Sequence, residues 1–312
     1  MTFKRRRFLM LASLGGLGMA VVASPAGKML WSQAKTAQDA EKTNPKAEFA
    51  TPKGTPNLRF IATADSGSGD RNQFAVGRAI ENYHRSNPFT HAILGGDNIY
   101  NSGEMSRIGV AFEEPYAAVL KRGVTFRAAI GNHDIRTENA DPQVKYAGFN
   151  MEGRYYTYQQ GPAQFFVLDT NTNADWKQQM SWLERELAAS QASWKIVYGH
   201  HPIYSSGLYN TNPEFVQRFT PLFKKYRVNL YINGHEHHYE RTHPIDGTTY
   251  LITGHGGASL RSVGKSAWTE FAVSRFGFSA IELWEDQLVI QGIGTNGTVF
   301  DRGRVARVVQ PV

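Results

Sequence analysis

A chain of 312 residues that is 41% apolar, with 18 Phe and six Trp, has ample material for a packed core, which excludes global disorder. It contains no Cys, so disulfides and thiolate metal sites are excluded, and any metal must be held by His, Asp, Glu, Asn, Tyr or backbone oxygen. Four of the net +7 charges belong to Lys4, Arg5, Arg6 and Arg7, and the +3 left over is too small and scattered for a nucleic-acid surface.

Residues 1–26 read as an export signal: the basic cluster precedes an apolar run from Phe8 to Ala23, followed by small residues and Pro25. Interrupted by Ser13, Gly15, Gly16 and Gly18, that run is short for a bilayer span of roughly 20 apolar residues. Arg5-Arg6-Arg7-Phe8-Leu9 resembles the twin-arginine export motif, which implies passage through an export translocon of a protein already folded around its cofactor. The expected location is periplasmic or secreted, with a membrane-anchored form if the signal is retained. Residues 27–56, rich in Ala, Lys, Thr, Gln and Pro, read as a solvated tether, and 57–312 as one catalytic domain.

From Leu58 onward a unit recurs: a short apolar run, then Gly with polar residues, then a helical or irregular stretch. The runs are 58–64, 91–94, 124–130, 164–168, 194–198, 228–232 and 250–253. Helices are predicted over 72–85, over 175–189 with Asp175 as N-cap, and from Asn212 or Pro213 through Phe223. Strands 279–284 and 287–293, joined at Glu285-Asp286, predict a closing hairpin. Strands alternating with helices imply an α/β sheet whose ligands gather at the carboxyl ends of the strands.

Those ends carry the chemistry. The first run leads to Asp65, the second to Gly96-Asp97-Asn98-Ile99-Tyr100 and the third to Gly131-Asn132-His133-Asp134. Asp169 follows the fourth, His200-His201 the fifth, and Gly234-His235-Glu236-His237 the sixth. Alone, each has an ordinary reading as a helix cap, a turn or a satisfied core polar group. Falling together at successive strand ends, they predict one site. Two carboxylates, an Asn carbonyl and three imidazoles suit Mn, Fe or Zn rather than Cu(I) or an all-oxygen Ca site. They exceed what one ion needs, so a two-metal centre with a shared Asp is expected, the type of site that hydrolyses phosphate esters. His201, next to a donor, should point the other way by strand alternation. His238, His243 and His255 read as ordinary surface polar groups.

Asp65-x-Gly67, Gly96-Asp97-x-x-Tyr100, Gly131-Asn132-His133-Asp134, Val197-x-x-His200 and Gly234-His235-x-His237 stand in the order of five blocks of the purple acid phosphatases. The sequence resembles that group of calcineurin-like metallophosphoesterases, in a short single-domain form. The resemblance implies a four-layer αββα sandwich of two mixed sheets. It implies a first metal, Fe(III), on Asp65, Asp97, Tyr100 and His237, and a second (Fe, Zn or Mn) on Asp97, Asn132, His200 and His235. It also implies hydrolysis of phosphomonoesters by a metal-bound hydroxide, with Asn132 and His133 on the phosphate and His133 acting at the leaving group. Two alternatives stay open: a phosphodiesterase of the same superfamily acting on nucleotides or phospholipid head groups, and a non-catalytic exported metal-binding protein. The sequence departs from the mammalian type in one respect. Residues 205–212 contain no second substrate-side His, leaving Tyr209 or Asn210 in its place.

Overall fold

The computed structural model describes residues 52–307. The predicted export signal and most of the predicted tether lie outside them.

Two sheets form. The first runs β13-β12-β11-β1-β2-β3, where β1 is Leu58–Thr63, β2 His91–Leu94 and β3 Thr125–Ala128. Its other half is a late meander of β11 (Gly277–Leu283), β12 (Gln287–Gly294) and β13 (Val299–Ala306). β1, β2 and β3 are parallel, and β11 joins β1 antiparallel. The second sheet runs β10-β8-β9-β7-β6-β5-β4. Its centre is β5 (Ala163–Val167), β6 (Trp194–Tyr198), β7 (Leu230–Asn233) and β9 (Thr249–Thr253), all parallel. Antiparallel strands flank that centre: β4 (Tyr156–Gln160) on one side, β8 (Tyr239–Thr242) and β10 (Thr269–Val273) on the other.

Side-chain alternation along the strands makes three slabs of core. Phe60, Ala62 and Ile93 of the first sheet meet Phe165, Val167, Ile196 and Ile232 of the second in the middle. Their neighbours face outward: Ile61, Ala92 and Phe126 pack under helix α1 (Arg71–Ser86) through Val76 and Ile80. On the far side, Phe166, Val197 and Tyr231 pack under α2 (Trp176–Ala189) and α3 (Pro213–Tyr226) through Leu183, Leu187, Phe215 and Phe219. The result is the four-layer sandwich that the family resemblance implies, where strand–helix alternation alone gives only α/β.

The helix starts follow from capping chemistry. Asp70 accepts from the N–H groups of Asn72 and Gln73, Asp175 from Gln178, and Asn212 from Phe215. The predicted closing hairpin is present as β11–β12, and β13 extends it by one strand. Because β1, β2 and β3 run parallel in one sheet and β5, β6 and β7 in the other, their carboxyl ends form one rim across both sheets.

Candidate metal centre

Every predicted donor lies on that rim, in the turn just after its strand. Asp65, Asp97 and His235 take positive φ values of 53°, 52° and 68°. That left-handed conformation costs a residue with a side chain of order 1 kcal/mol or more. Strain on three donors at one rim marks a place where aiming side chains inward outweighs local comfort. Glycines supply the room. A Cβ at Gly131 would lie 2.2 Å from Asp97 Oδ1, at Gly234 2.3 Å from Asp65 Oδ2, and at Gly96 2.6 Å from His200 Nδ1. No other residue type permits such close approach.

The seven donors fall into two halves with Asp97 beside both. In the first, Tyr100 OH lies 3.0 Å from Asp65 Oδ1 and 3.2 Å from His237 Nε2, which is itself 3.3 Å from Asp65 Oδ1. In the second, Asn132 Oδ1 lies 3.0 Å from His200 Nε2 and 2.8 Å from His235 Nδ1. Asp97 Oδ2 sits 3.5 Å from His200 Nε2. One donor atom each from Asp65, Asp97 and His200 lies within 4.8 Å of the others.

The tautomers suit cation binding. His200 Nδ1 lies 3.0 Å from the Gly95 carbonyl and His237 Nδ1 2.7 Å from the Ser259 carbonyl. A carbonyl only accepts, so each Nδ1 carries a proton, and Nε2 is the nitrogen that faces the site and offers a lone pair once any proton on it is displaced. Asp65 and Asp97 are 0% and 1% exposed, and their ion partners are imidazoles: His237 for the first, His200 and His133 for the second. Two buried carboxylates held by weak, displaceable cations, with lone pairs converging on them, fit a pair of metal ions.

The electrostatics agree. Burial works against the His200 imidazolium, but Asp97 overrides it and lifts the pKa to about 9. Burial opposes ionisation of Asp97 too, and His200 and then His133 outweigh it, holding that carboxyl well below its usual range. His235 is pushed far down by burial, then by His200 and His201, and stays a neutral lone-pair donor. Burial, with Asp65 and Asp97, drives the Tyr100 phenol well above its ordinary value, so only a strong Lewis acid would ionise it.

His133 stands at the edge. Its backbone N–H donates to Asp97 Oδ1 at 2.8 Å, its Nδ1–H to the Asn101 carbonyl at 2.6 Å, and its ring lies 4.5 Å from Tyr100. With Tyr100, His237 and Ser259 it lines a cavity of about 550 Å³ whose walls also carry Arg107 and Arg261. Of the two candidates for the missing second His, Tyr209 reaches the centre. Its ring stacks on His235 with centroids 4.3 Å apart and planes 27° apart.

Several sequence expectations need correction. His201 does not turn away from the site. Residues 200–201 lie past the end of β6, where strand alternation no longer applies, and its ring lies 4.5 Å from that of His235. His238 and His255 are not surface groups but are 0% exposed beneath the rim. Asp169, which follows the fourth run and carries no assigned role, is buried, pairs with Arg154 at 2.9 Å and accepts from the Asn171 N–H at 3.1 Å.

Other residues that shape the site carried little sequence signal. Asp134, the last letter of the third block, is fully buried and accepts from the backbone N–H groups of Asn98, Ile99 and Gly131 at 2.9, 3.1 and 2.8 Å. It thereby ties the second and third turns together. Arg261 donates to the His235 carbonyl at 2.7 Å, and Glu236 accepts from the Tyr209 N–H at 2.6 Å. None of these stands in a periodic pattern.

Known proteins place the whole arrangement. Residues 58–239 match the family model described as calcineurin-like phosphoesterase. The chain is 26% identical over 305 residues to human tartrate-resistant acid phosphatase type 5, covering 82% of this chain and 93% of that protein. Among solved structures, GAP50, "the anchor in the inner membrane complex of Plasmodium", matches with a TM-score of 0.73 at 21% identity, covering 81% of this chain and 90% of that one. The purple acid phosphatase PPD1 from yellow lupin seeds matches with a TM-score of 0.69 at 20% identity, over 81% and 55%. The chain belongs to the calcineurin-like phosphoesterases, whose dinuclear-metal hydrolysis of phosphate esters its paired donor sets accommodate.

Proposed function

We propose that this phosphoesterase is an exported acid phosphatase of the purple type, hydrolysing phosphomonoesters with Fe(III) in the first half of its centre and Fe, Zn or Mn in the second. The observation that carries the reading is the buried Tyr100 hydroxyl, 3.0 Å from Asp65 and 3.2 Å from His237. A phenol at that point adds a hard anionic donor to a carboxylate-rich half, which suits a trivalent ion. Export rests on the basic cluster and apolar run at the N-terminus.

Asp65, Asp97, Tyr100 and His237 would hold the first ion, and Asp97, Asn132, His200 and His235 the second. When bound, the pair supplies Lewis acidity toward phosphate oxygens and lowers the pKa of water. The Asn132 amide orients the ester. His133, whose Nδ1–H is committed to Asn101, holds Nε2 at the cavity 3.9 Å from Asp97 Oδ2 and 3.3 Å from Arg136 Nη2, and as the imidazolium it would bind phosphate there and give the Nε2 proton to the departing alkoxide. Water attacks phosphorus in line, without a phosphoenzyme, and a phosphoenzyme trapped after a quench would overturn that step.

Elemental analysis with a visible spectrum tests the assignment. About two metals per chain, with a violet band lost in Tyr100→Phe, is the expected result; a colourless, iron-free but active protein would overturn it. Faster turnover of bis(p-nitrophenyl) phosphate than of p-nitrophenyl phosphate would move the substrate class to diesters. Full metal content with no hydrolysis of either would make the protein a non-catalytic metal binder.

A further inference from the structure

Thr170 fixes the protonation of an imidazole that the roles above leave unused. Its Oγ1 accepts from the backbone N–H groups of His200 at 3.1 Å and His201 at 2.9 Å. Those two bonds fill both acceptor positions of the hydroxyl. Its single proton then has one partner, His201 Nδ1, 2.8 Å away. Nδ1 is therefore an acceptor, and the ring proton of neutral His201 sits on Nε2. The residue is pinned further by Tyr231, whose hydroxyl donates to the His201 carbonyl at 2.7 Å.

The ring so fixed lies against the second half of the metal centre. Its centroid is 4.5 Å from that of His235 and 4.9 Å from that of His200. One nitrogen from each of the three rings lies within 4.8 Å of the others. That clustering alone would read as a three-imidazole metal site. The hydrogen bonding argues otherwise: the Nδ1 lone pair is taken by Thr170 and Nε2 carries a proton, so neither nitrogen has a lone pair free for an ion. What the ring offers is an N–H donor, and Nε2 is neither sealed from solvent nor bonded to any acceptor among the described residues.

We infer that His201 is a second phosphate-binding imidazole, donating its Nε2–H to a phosphoryl oxygen on the His235 side of the site as His133 does on the Tyr100 side. The inference rests on the phosphatase reading and deepens it. It assigns to the residue next to the metal donor His200 the substrate contact that residues 205–212 lack a His to make. Tyr209, stacked on His235, forms the wall above that side rather than the donor.

The test uses the full-length, metal-loaded protein and inorganic phosphate as probe. His201→Phe keeps the ring volume and removes the donor, while His201→Gln restores an N–H near Nε2. His201→Phe should retain both metals, bind phosphate roughly 10- to 100-fold more weakly and raise KM for p-nitrophenyl phosphate in step, with His201→Gln recovering most of the loss. Unchanged phosphate affinity in His201→Phe overturns the inference, and so does loss of a metal ion, which would make His201 a ligand. Nitrogen-15 spectra of the unmutated protein decide the point even if the variants fold poorly, since a proton found on Nδ1 overturns it. A metal-loaded wild type that neither binds phosphate nor hydrolyses esters would instead overturn the phosphatase reading, and this inference with it.

Discussion

Two groups of buried carboxylates in this molecule are neutralised in opposite ways. Asp301, 3% exposed, is gripped by Arg241 through Nε at 2.7 Å and Nη2 at 2.9 Å, and Tyr239 donates to it at 2.7 Å. Its cation is permanent, and Asp301 and Tyr239 both lift the Arg241 pKa further against the effect of burial. Asp65 and Asp97 are buried as deeply but lean on imidazoles, which are cations only while protonated. The first cluster is finished when the chain folds. The second is closed by protons that a metal ion can displace, and this separates a structural ion pair from a binding site when burial and charge look the same.

The shared carboxylate gives the sharpest way to break that contrast. Asp97 flanks both donor halves, so Asp97→Ala should empty both positions and lower kcat/KM by about 10³-fold or more. Elemental analysis and turnover of p-nitrophenyl phosphate check this together. Retention of two ions would show that the halves do not share Asp97.

Arg241→Met probes the finished cluster. Removing one partner of a buried pair strands the other charge, at a cost of ~3–5 kcal/mol. Urea unfolding measures it, and the loss should be equal with and without a chelator. A chelator-dependent loss would tie Arg241 to the metal centre.

A pH experiment exposes the displaceable cation. In metal-free protein the His200 pKa stands at about 9, above its unfolded value near 6.5. The stability contributed by the His200–Asp97 pair is therefore fully present below pH 6.5 and is lost as pH rises through about 9. Metal must expel that proton, so metal affinity should fall about 100-fold between pH 8 and pH 6 through this group alone. Titration calorimetry of the metal-free protein in buffers of different ionisation enthalpy would show about one proton released per chain at pH 7 from His200. Metal uptake with no proton release would mean His200 is already neutral.

The same contrast explains what the sequence revealed and what it concealed. Strands with apolar runs, such as β1, β6 and β7, were legible because both of their faces are buried against apolar layers. β8 was not: Tyr239-Glu240-Arg241-Thr242 reads as a polar loop yet is wholly buried. Its charges are satisfied from elsewhere in the chain, Arg241 by Asp301 on β13 and Glu240 by Thr269 on β10 and by Ser206 in the loop after β6. β13 hid for the matching reason. Its inward positions are Asp301, Gly303 and Val305, where Asp301 binds Arg241 and a Cβ at Gly303 would lie 2.3 Å from Arg241 Nε. The seven donors were legible because glycine-punctuated strand ends keep them in recognisable blocks. His201 was misread because alternation was carried past the end of β6, into a turn where Thr170 sets the ring instead.

At the other end of the range lies an ion pair that water already serves. Lys224 Nζ and Asp246 Oδ1 are 3.0 Å apart, about as close as Arg241 and Asp301, but their side chains are 64% and 53% exposed. Solvent screens their attraction, and ordering two long, mobile side chains offsets most of what remains. A double-mutant cycle on Lys224→Ala and Asp246→Ala should give a coupling of ~0.5 kcal/mol or less, shrinking further in molar salt. A coupling near that of the Arg241 pair would mean that distance rather than burial sets the strength of these contacts. The contrast between the two buried clusters would then have to be explained without appeal to their depth.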